Sequence, residues 1–488
     1  VMWSLKDLHL QPIAGEWKAG SSGESLKVMD PYHQKQLVEI TQADRTDVER
    51  AFDAADRAQR QWADTSATHR AAVLRRVAEL MEERKDELVE WLIRESGSTR
   101  IKAELEWNNA WEMSLEAAAM ATRVQGTTAA SSVPGKDHRV YRKPLGVIGV
   151  ISPWNFPFHL TQRTIGPALA LGNAVVLKPA SDTPLTGGLL LARLYEEAGL
   201  PKGLLSVLIG AGSELGDPLV GHRLAKLISF TGSTEVGRQI AKGAVGGEHI
   251  KPVALELGGN SPFVVLDDAD IDRAVRAAVV GKFMHQGQIC IAINRIIVDA
   301  SIHDTFVERF VERVKGLKVG DPSDADTVIG PIINDQQLDG LKDTIDRARE
   351  SGARVALEGS VEGPCLHPWV FSHVSEEMDL ACSEIFGPIA GIIQADGEAE
   401  AIRIANATEY GLSAAVFSGC PARGERVARQ IESGMVHVND MPVNDEPHMP
   451  FGGEKNSGIG RFNGDWVLNE MTTVQWVSVQ HEPRDYPF

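Results

Sequence analysis

Leu145-Gly146-Val147-Ile148-Gly149-Val150-Ile151-Ser152-Pro153-Trp154-Asn155-Phe156-Pro157 is a short β-branched run that ends in a loop stiffened by two prolines and two aromatic rings. Runs of the same kind recur at 174–177, 205–209, 227–230 and 253–257, with room for a helix between them, as at 185–198. Strands alternating with helices imply right-handed βαβ units and a parallel sheet. Ligands on such sheets bind beyond the carboxyl ends of the strands, where the loop after Ile151 lies. The alternation restarts after Pro262 and runs to about 437, so the expected fold class is α/β with two parallel-sheet units.

Upstream, residues 44–120 read as helical. Thr46-Asp47-Val48-Glu49 has the form of a capping box, in which a hydroxyl and a carboxylate each satisfy a free backbone N–H. Val48, Phe52, Ala55 and Trp62 follow at helical spacing, and Val73, Val77, Leu80 and Leu88 continue the stripe on a second helix. That stripe reads as core. Two segments fit neither sheet: 126–144, which ends in the alternating His138-Arg139-Val140-Tyr141-Arg142, and 472–480, beyond the glycine-rich loop 451–461. Two such strands can pair as an exposed ribbon, which another subunit would have to cover.

The 488 residues exceed what one core usually holds, and a formal charge of -18 opposes binding to nucleic acid or an anionic membrane. Cys290, Cys365, Cys382 and Cys420 form no CxxC pair and no zinc-type cluster, so no metal is expected. A chain of this size needs no disulfide staples, and the sequence shows no secretory leader and no apolar run near the ~20 residues that span a bilayer. A cytoplasmic protein with reduced thiols is the expectation.

Four places carry candidate chemistry. Cys290, in Gly287-Gln288-Ile289-Cys290, reads either as a small buried hydrophobe or as a nucleophile; the second needs a lowered pKa or a base, and nearby His285 does not establish one. Glu256, in Val253-Ala254-Leu255-Glu256-Leu257-Gly258-Gly259-Asn260, is either a solvent-facing strand residue or a desolvated base able to activate water. Asn155 is either a turn former or an amide donor aimed at a developing oxyanion. Phe230-Thr231-Gly232-Ser233 follows a strand and opens a helix, where backbone N–H groups can face a pyrophosphate, although the spacing is neither G-x-G-x-x-G nor a Walker motif. Lys178, at the end of 174–177, reads by itself as a solvated strand-end lysine.

Together these stretches resemble the aldehyde dehydrogenase superfamily. The pattern is met, in family order, at Pro153–Pro157, Phe230-Thr231-Gly232-Ser233, Leu255-Glu256-Leu257-Gly258-Gly259, Gly287-Gln288-Ile289-Cys290, Glu384-Ile385-Phe386-Gly387-Pro388 and Pro450-Phe451-Gly452-Gly453. The resemblance implies a Rossmann-like cofactor domain over 1–125 and 145–256, an α/β catalytic domain over 257–455, and oligomerisation segments at 126–144 and 470–488. It further implies that Cys290 attacks an aldehyde carbon, that the Asn155 amide and the Cys290 N–H hold the oxyanion, and that Glu256 activates the water that hydrolyses the thioester. Glu384 would hold the nicotinamide ribose and Phe386 and Trp154 would pack on the cofactor. Lys178 would bind the adenosine ribose, and Gly232 and Ser233 the pyrophosphate. The expected assembly is a homodimer or homotetramer acting on a small aldehyde.

One departure bears on the cofactor. Many NAD-preferring members carry Glu three residues after the lysine, where this sequence has Ser181. A carboxylate there would repel a 2′-phosphate and a hydroxyl can donate to it, so NADP is expected to be accepted, alongside NAD. Phe156, His159, Leu160 and Arg163, with Ile289, Ile291 and Phe451, are expected to line the substrate funnel. Phe-His-Leu at 158–160, Trp466 and the terminal Tyr486-Pro487-Phe488 resemble the benzaldehyde and vanillin dehydrogenase branch. The alternative substrate is succinic semialdehyde, through Arg163; the alternative classes are a CoA-acylating enzyme and a non-enzymatic binding or structural protein on the same fold.

Overall fold

In the computed structural model, residues 8–488 are described; residues 1–7 of the expected cofactor domain lie outside the described residues. Four helices follow one another from residue 45 to 120: α1 (Arg45–Ala63), α2 (Ala67–Glu83), α3 (Lys85–Ser96) and α4 (Arg100–Met120). The expected stripe is buried, but Leu88 belongs to α3, because the chain breaks helix at Arg84. The capping box also differs from its reading at 46–49. Asp44 is the N-cap, its carboxylate accepting from the N–H of Thr46 (2.8 Å) and Asp47 (3.1 Å), while Asp47 accepts from the N–H of Asp44 at 3.1 Å. An aspartate reaches these N–H groups as readily as a threonine, and the Thr46 hydroxyl bonds to Asp44 instead.

The first sheet has six strands in the order Gly458–Ile459, Val253–Glu256, Ala225–Thr231, Val147–Ile151, Ala174–Lys178 and Leu205–Val207. Its pairs are parallel apart from the Gly458–Ile459 edge. Strand order reverses between Val147–Ile151 and Ala225–Thr231, which opens a crevice at their carboxyl ends. Helix α5 (Pro157–Ala170) leaves one side of that crevice and α6 (Thr234–Gly246) the other. The expected helix 185–198 opens as a π-helical turn, Leu185–Leu189, before the α-helix Leu190–Glu197; buried Glu95 accepts from the N–H of Leu185 and Thr186, both at 2.7 Å.

The second sheet has seven strands in the order Arg354–Leu357, Trp369–Ser372, Ile389–Ala395, Ile293–Asp299, Ser261–Val265, Ser413–Phe417 and Met435–Val438. All pairs except the first are parallel. Its faces are packed by two apolar clusters, while Phe451, Phe462, Val467, Leu468 and Met471 return to the core of the first sheet. The two isolated segments pair, as Thr472–Gln480 with Lys136–Pro144, and Thr127–Ala130 adds a third antiparallel strand. Tyr141, Val474 and Trp476 stand exposed on it, Trp476 at 67%. Among the described residues no helix is long and apolar enough to cross a membrane.

The Asp44 cap makes a local prediction. Asp44→Ala removes about 1 kcal/mol of first-turn stability, so amide exchange at 46–49 should quicken by roughly fivefold with the rest of α1 unchanged. Exchange at the parent rate would show that Asp44 does not hold the helix start.

Candidate active site

A cavity of about 960 Å³ runs along the crevice between the two sheets. Asn155, Glu256 and Cys290 all line it, together with Trp154, Leu160, Lys178, Gly232, Ser233, Glu384 and Phe386. Asn155 stands in the loop after Val147–Ile151, and its amide Nδ2 donates to the Gln288 carbonyl at 3.0 Å. An amide has two N–H donors, and this bond uses one. Cys290 lies in the turn that enters strand Ile293–Asp299 from the second sheet. The turn begins with three successive positive φ values, at His285, Gln286 and Gly287, and a Cβ on Gly287 would meet the Gly387 carbonyl oxygen at 2.3 Å. The loop after Glu256 passes as closely: a Cβ on Gly259 would reach the Cys290 carbonyl oxygen at 2.1 Å. Gly259 lets the backbone leaving the first sheet touch the turn that enters the second, and Gly287 lets two turns of the second sheet touch each other.

Burial governs the titrating groups. Glu256 is 2% exposed, neither carboxylate oxygen has a hydrogen-bond partner, and desolvation raises its pKa to about 8, against the opposing charges of Arg163 and Arg461. The Cys290 thiol is pushed up to about 12, first by desolvation and then by the negative charges of Glu256 and Glu384. His285 is held well below its ordinary value by burial and by the Lys102 charge, with its ring edge-on to Phe156 at 5.8 Å. It is a packed neutral ring, which removes the support for a Cys–His dyad.

The far reach of the cavity suits a dinucleotide. Lys178 is buried, its Nζ donating to the Pro179 carbonyl at 2.9 Å, and desolvation lowers its pKa to about 8, with Asp182 opposing. Ser181 does not line the cavity; its hydroxyl donates to the Gly210 carbonyl at 3.4 Å. Ser233 caps α6, accepting from the Val236 N–H at 3.4 Å. The Gly232 N–H is already committed to the Glu256 carbonyl at 3.0 Å, so of the N–H groups at this helix start those of Thr234 and Glu235, rather than that of Gly232, would be left for a pyrophosphate. Glu384 accepts from the Gly259 N–H at 3.0 Å and is raised to about 7 by burial. Phe386, at φ 56°, meets Trp154 edge-to-face at 5.5 Å. A basic end, a helix N-terminus and a carboxylate near the thiol match the adenosine, pyrophosphate and nicotinamide-ribose parts of NAD(P), so the residues present fit that group.

Of the expected funnel residues only Leu160 lines this cavity. Ile289 and Ile291 point into the first core on either side of Cys290, and the Phe156 ring lies under the Lys102 ammonium at 4.2 Å. His159 Nε2 and Asp445 Oδ2 are 2.7 Å apart, and Arg163, 1% exposed, is 3.5 Å from the same oxygen. Its guanidinium also lies over the rings of Phe451 (4.3 Å) and Phe462 (4.8 Å). Asp445, which Asn463 also contacts at 2.7 Å, escaped the sequence reading because Asn444-Asp445-Glu446-Pro447 looks like an ordinary turn. Among the described residues His303, Asp304 and His373 bring possible metal-ligand atoms within 4.8 Å of one another, but none of the three lines the cavity.

The family model described as "Aldehyde dehydrogenase family" matches residues 17–477. This chain belongs to the aldehyde dehydrogenase family. It is 55% identical to a vanillin dehydrogenase of Corynebacterium glutamicum, over 96% of this chain and 97% of that one. It is 45% identical to a benzaldehyde dehydrogenase of Bacillus subtilis, over the full length of both. The crystal structure of an NAD-dependent benzaldehyde dehydrogenase from Corynebacterium glutamicum superposes with a TM-score of 0.91 at 51% identity, covering 99% of each chain. Family membership makes the chain an aldehyde-oxidising enzyme that works through a cysteine, and removes the non-enzymatic alternative.

The charges around the thiol can be probed directly. At about pH 9 Glu256 is ionised and holds the Cys290 thiol up, so Glu256→Gln should speed Cys290 alkylation by iodoacetamide about threefold or more in the cofactor-free enzyme. At about pH 6.5 Glu256 is already mostly protonated and the two rates should converge. Peptide mass spectrometry separates Cys290 from the exposed Cys382 and Cys420; equal rates at both pH values would refute the coupling.

Proposed function

We propose that this aldehyde dehydrogenase oxidises an aromatic aldehyde of the benzaldehyde or vanillin type to its carboxylic acid. The observation that carries the reading is the convergence of Asn155, Glu256 and Cys290 on one cavity that continues past Glu384 and Ser233 to Lys178. The names of the relatives supply the substrate class. Succinic semialdehyde is the weaker alternative, because the charge of Arg163 already faces Asp445 and two aromatic rings.

Cys290 gives up its thiol proton to solvent, Sγ adds to the aldehyde carbon, and the carbonyl oxygen becomes an oxyanion held by the free Asn155 N–H and the Cys290 backbone N–H. When bound, the oxidised nicotinamide supplies a positive charge near the thiol and the acceptor for the hydride that leaves the thiohemiacetal. Glu256 then takes a proton from water as the oxygen attacks the thioester carbon, and Cys290 leaves as thiolate. Because Glu256 serves as a base only when ionised, hydrolysis gains as pH rises through about 8. The carboxylate also favours water over CoA as the acyl acceptor.

We assign cofactor binding to 1–125 and 145–256, catalysis to 257–455 and subunit contact to 126–144 and 470–488. Both cofactors are accepted on this reading. No carboxylate stands at 181, and Lys178 lines the adenosine end, where burial lowers its pKa and Asp182 favours its charged form. Four free cysteines suit a reducing cytoplasm.

A panel of benzaldehyde, vanillin, salicylaldehyde and succinic semialdehyde, run with NAD and with NADP, tests the assignment. The aromatic aldehydes should give the higher kcat/KM, and Cys290→Ala should abolish turnover. Succinic semialdehyde ahead of all three would overturn the substrate class, and a preference for NAD beyond about hundredfold would overturn the cofactor reading. The exposed three-stranded sheet is covered, on this proposal, in a homodimer or homotetramer. Light scattering should show Trp476→Glu shifted toward monomer; an unchanged mass would place the contact elsewhere.

A further inference from the structure

Helix α4 carries two opposite charges one turn apart, Lys102 and Glu106, both 0% exposed and 2.5 Å from each other. Neither lines the cavity. Lys102 Nζ donates in addition to Ser98 Oγ at 2.9 Å and to the backbone carbonyl of Asn155 at 2.6 Å, so its three N–H bonds are all used. Glu106 Oε1 accepts from the N–H of Phe158 at 2.8 Å and of His159 at 3.1 Å. These are first-turn N–H groups of α5, whose N-cap Phe156 makes no side-chain cap bond and whose Pro157 has no N–H to offer. The carboxylate that caps α5 therefore comes from another helix.

The pair grips the Asn155 loop from both ends, the ammonium on its carbonyl and the carboxylate on the amides that follow. The Lys102 ammonium also covers the Phe156 ring. Stability alone does not explain such an arrangement. A buried ion pair is commonly no more stabilising than apolar side chains of the same volume, whereas its directional bonds define a position. The position defined is that of Asn155, whose side chain reaches the Gln288 carbonyl two residues before Cys290.

We propose that Lys102 and Glu106 are positioning residues for the reaction: they fix the backbone of the 155–159 loop so that the Asn155 amide meets the oxyanion, and they act on turnover through Asn155. The inference rests on the reading of Asn155 as oxyanion donor. It requires that the pair matter to the chemical step and little to cofactor affinity.

A double-mutant cycle separates this from a structural role. Asn155→Ala alone should lower kcat by about a hundredfold; an unchanged kcat would sink the reading of Asn155 and, with it, any action of the pair through Asn155. Lys102→Met should lower kcat by roughly thirtyfold or more while cofactor Kd, from fluorescence quenching, stays within about twofold. In the Asn155→Ala background the same substitution should change kcat by less than about twofold, because the route through Asn155 is already gone. Fully multiplicative losses, or a Lys102→Met enzyme within about threefold of the parent, overturn the inference. If Glu106 left unpaired prevents folding, the charge-free Lys102→Met/Glu106→Leu chain carries the same cycle. Failure of that chain to fold as well would make the pair a folding element and overturn the inference too.

Discussion

Burial of acidic side chains in the wall of the crevice between two sheets is the constraint on which the rest depends. Glu256 is almost wholly buried with no hydrogen-bond partner, and the half-buried Cys290 lines the same cavity, its thiol desolvated as well. In water each would titrate near its ordinary value; here desolvation raises both. The resting site thus holds a proton on the nucleophile and, near neutrality, on much of the base. Glu384, beside the same thiol, is raised as well. Three acidic groups crowded into one apolar crevice make a place that favours a positively charged ring, which the oxidised nicotinamide provides.

That crowding is possible because the two sheets come into backbone contact. Gly259 leaves the first sheet and Cys290 enters the second, and no side chain could stand between them. The Glu384 carboxylate on the Gly259 N–H ties the same junction from the second sheet. The chemistry consequently draws its parts from strand ends that are far apart in sequence.

Much of this was legible in the chain. The β-branched runs at 147–151, 174–177 and 227–230 fall within observed strands of one sheet, and 253–257 overruns its strand by Leu257 alone, because a strand covered on both faces must be apolar throughout. Family motifs singled out Cys290, Asn155 and Glu256, which single-residue reasoning left open, and all three line one cavity. The supporting groups were hidden. Asp445 looks like a turn residue until His159 and Arg163 approach it from α5. Lys102 and Glu106 look like a solvated i,i+4 pair, although they share the buried face of α4 with Ala110, Met113 and Ala117. Ile289 and Ile291 flank the nucleophile in sequence yet belong to the core, while half-buried Cys290 between them reaches the cavity. Contacts that join distant segments leave no local mark.

The edge strand Gly458–Ile459 closes the first sheet beside Val253–Glu256, and the Met471 carbonyl accepts from Asn173 at 3.0 Å. The first sheet is therefore finished by residues that follow every strand of the second sheet in the chain. Until they arrive, the strand bearing Glu256 is an open edge and part of the first core lacks its cover. A chain that folds from its first residues onward holds that edge open to wrong pairing while the whole second sheet is being made.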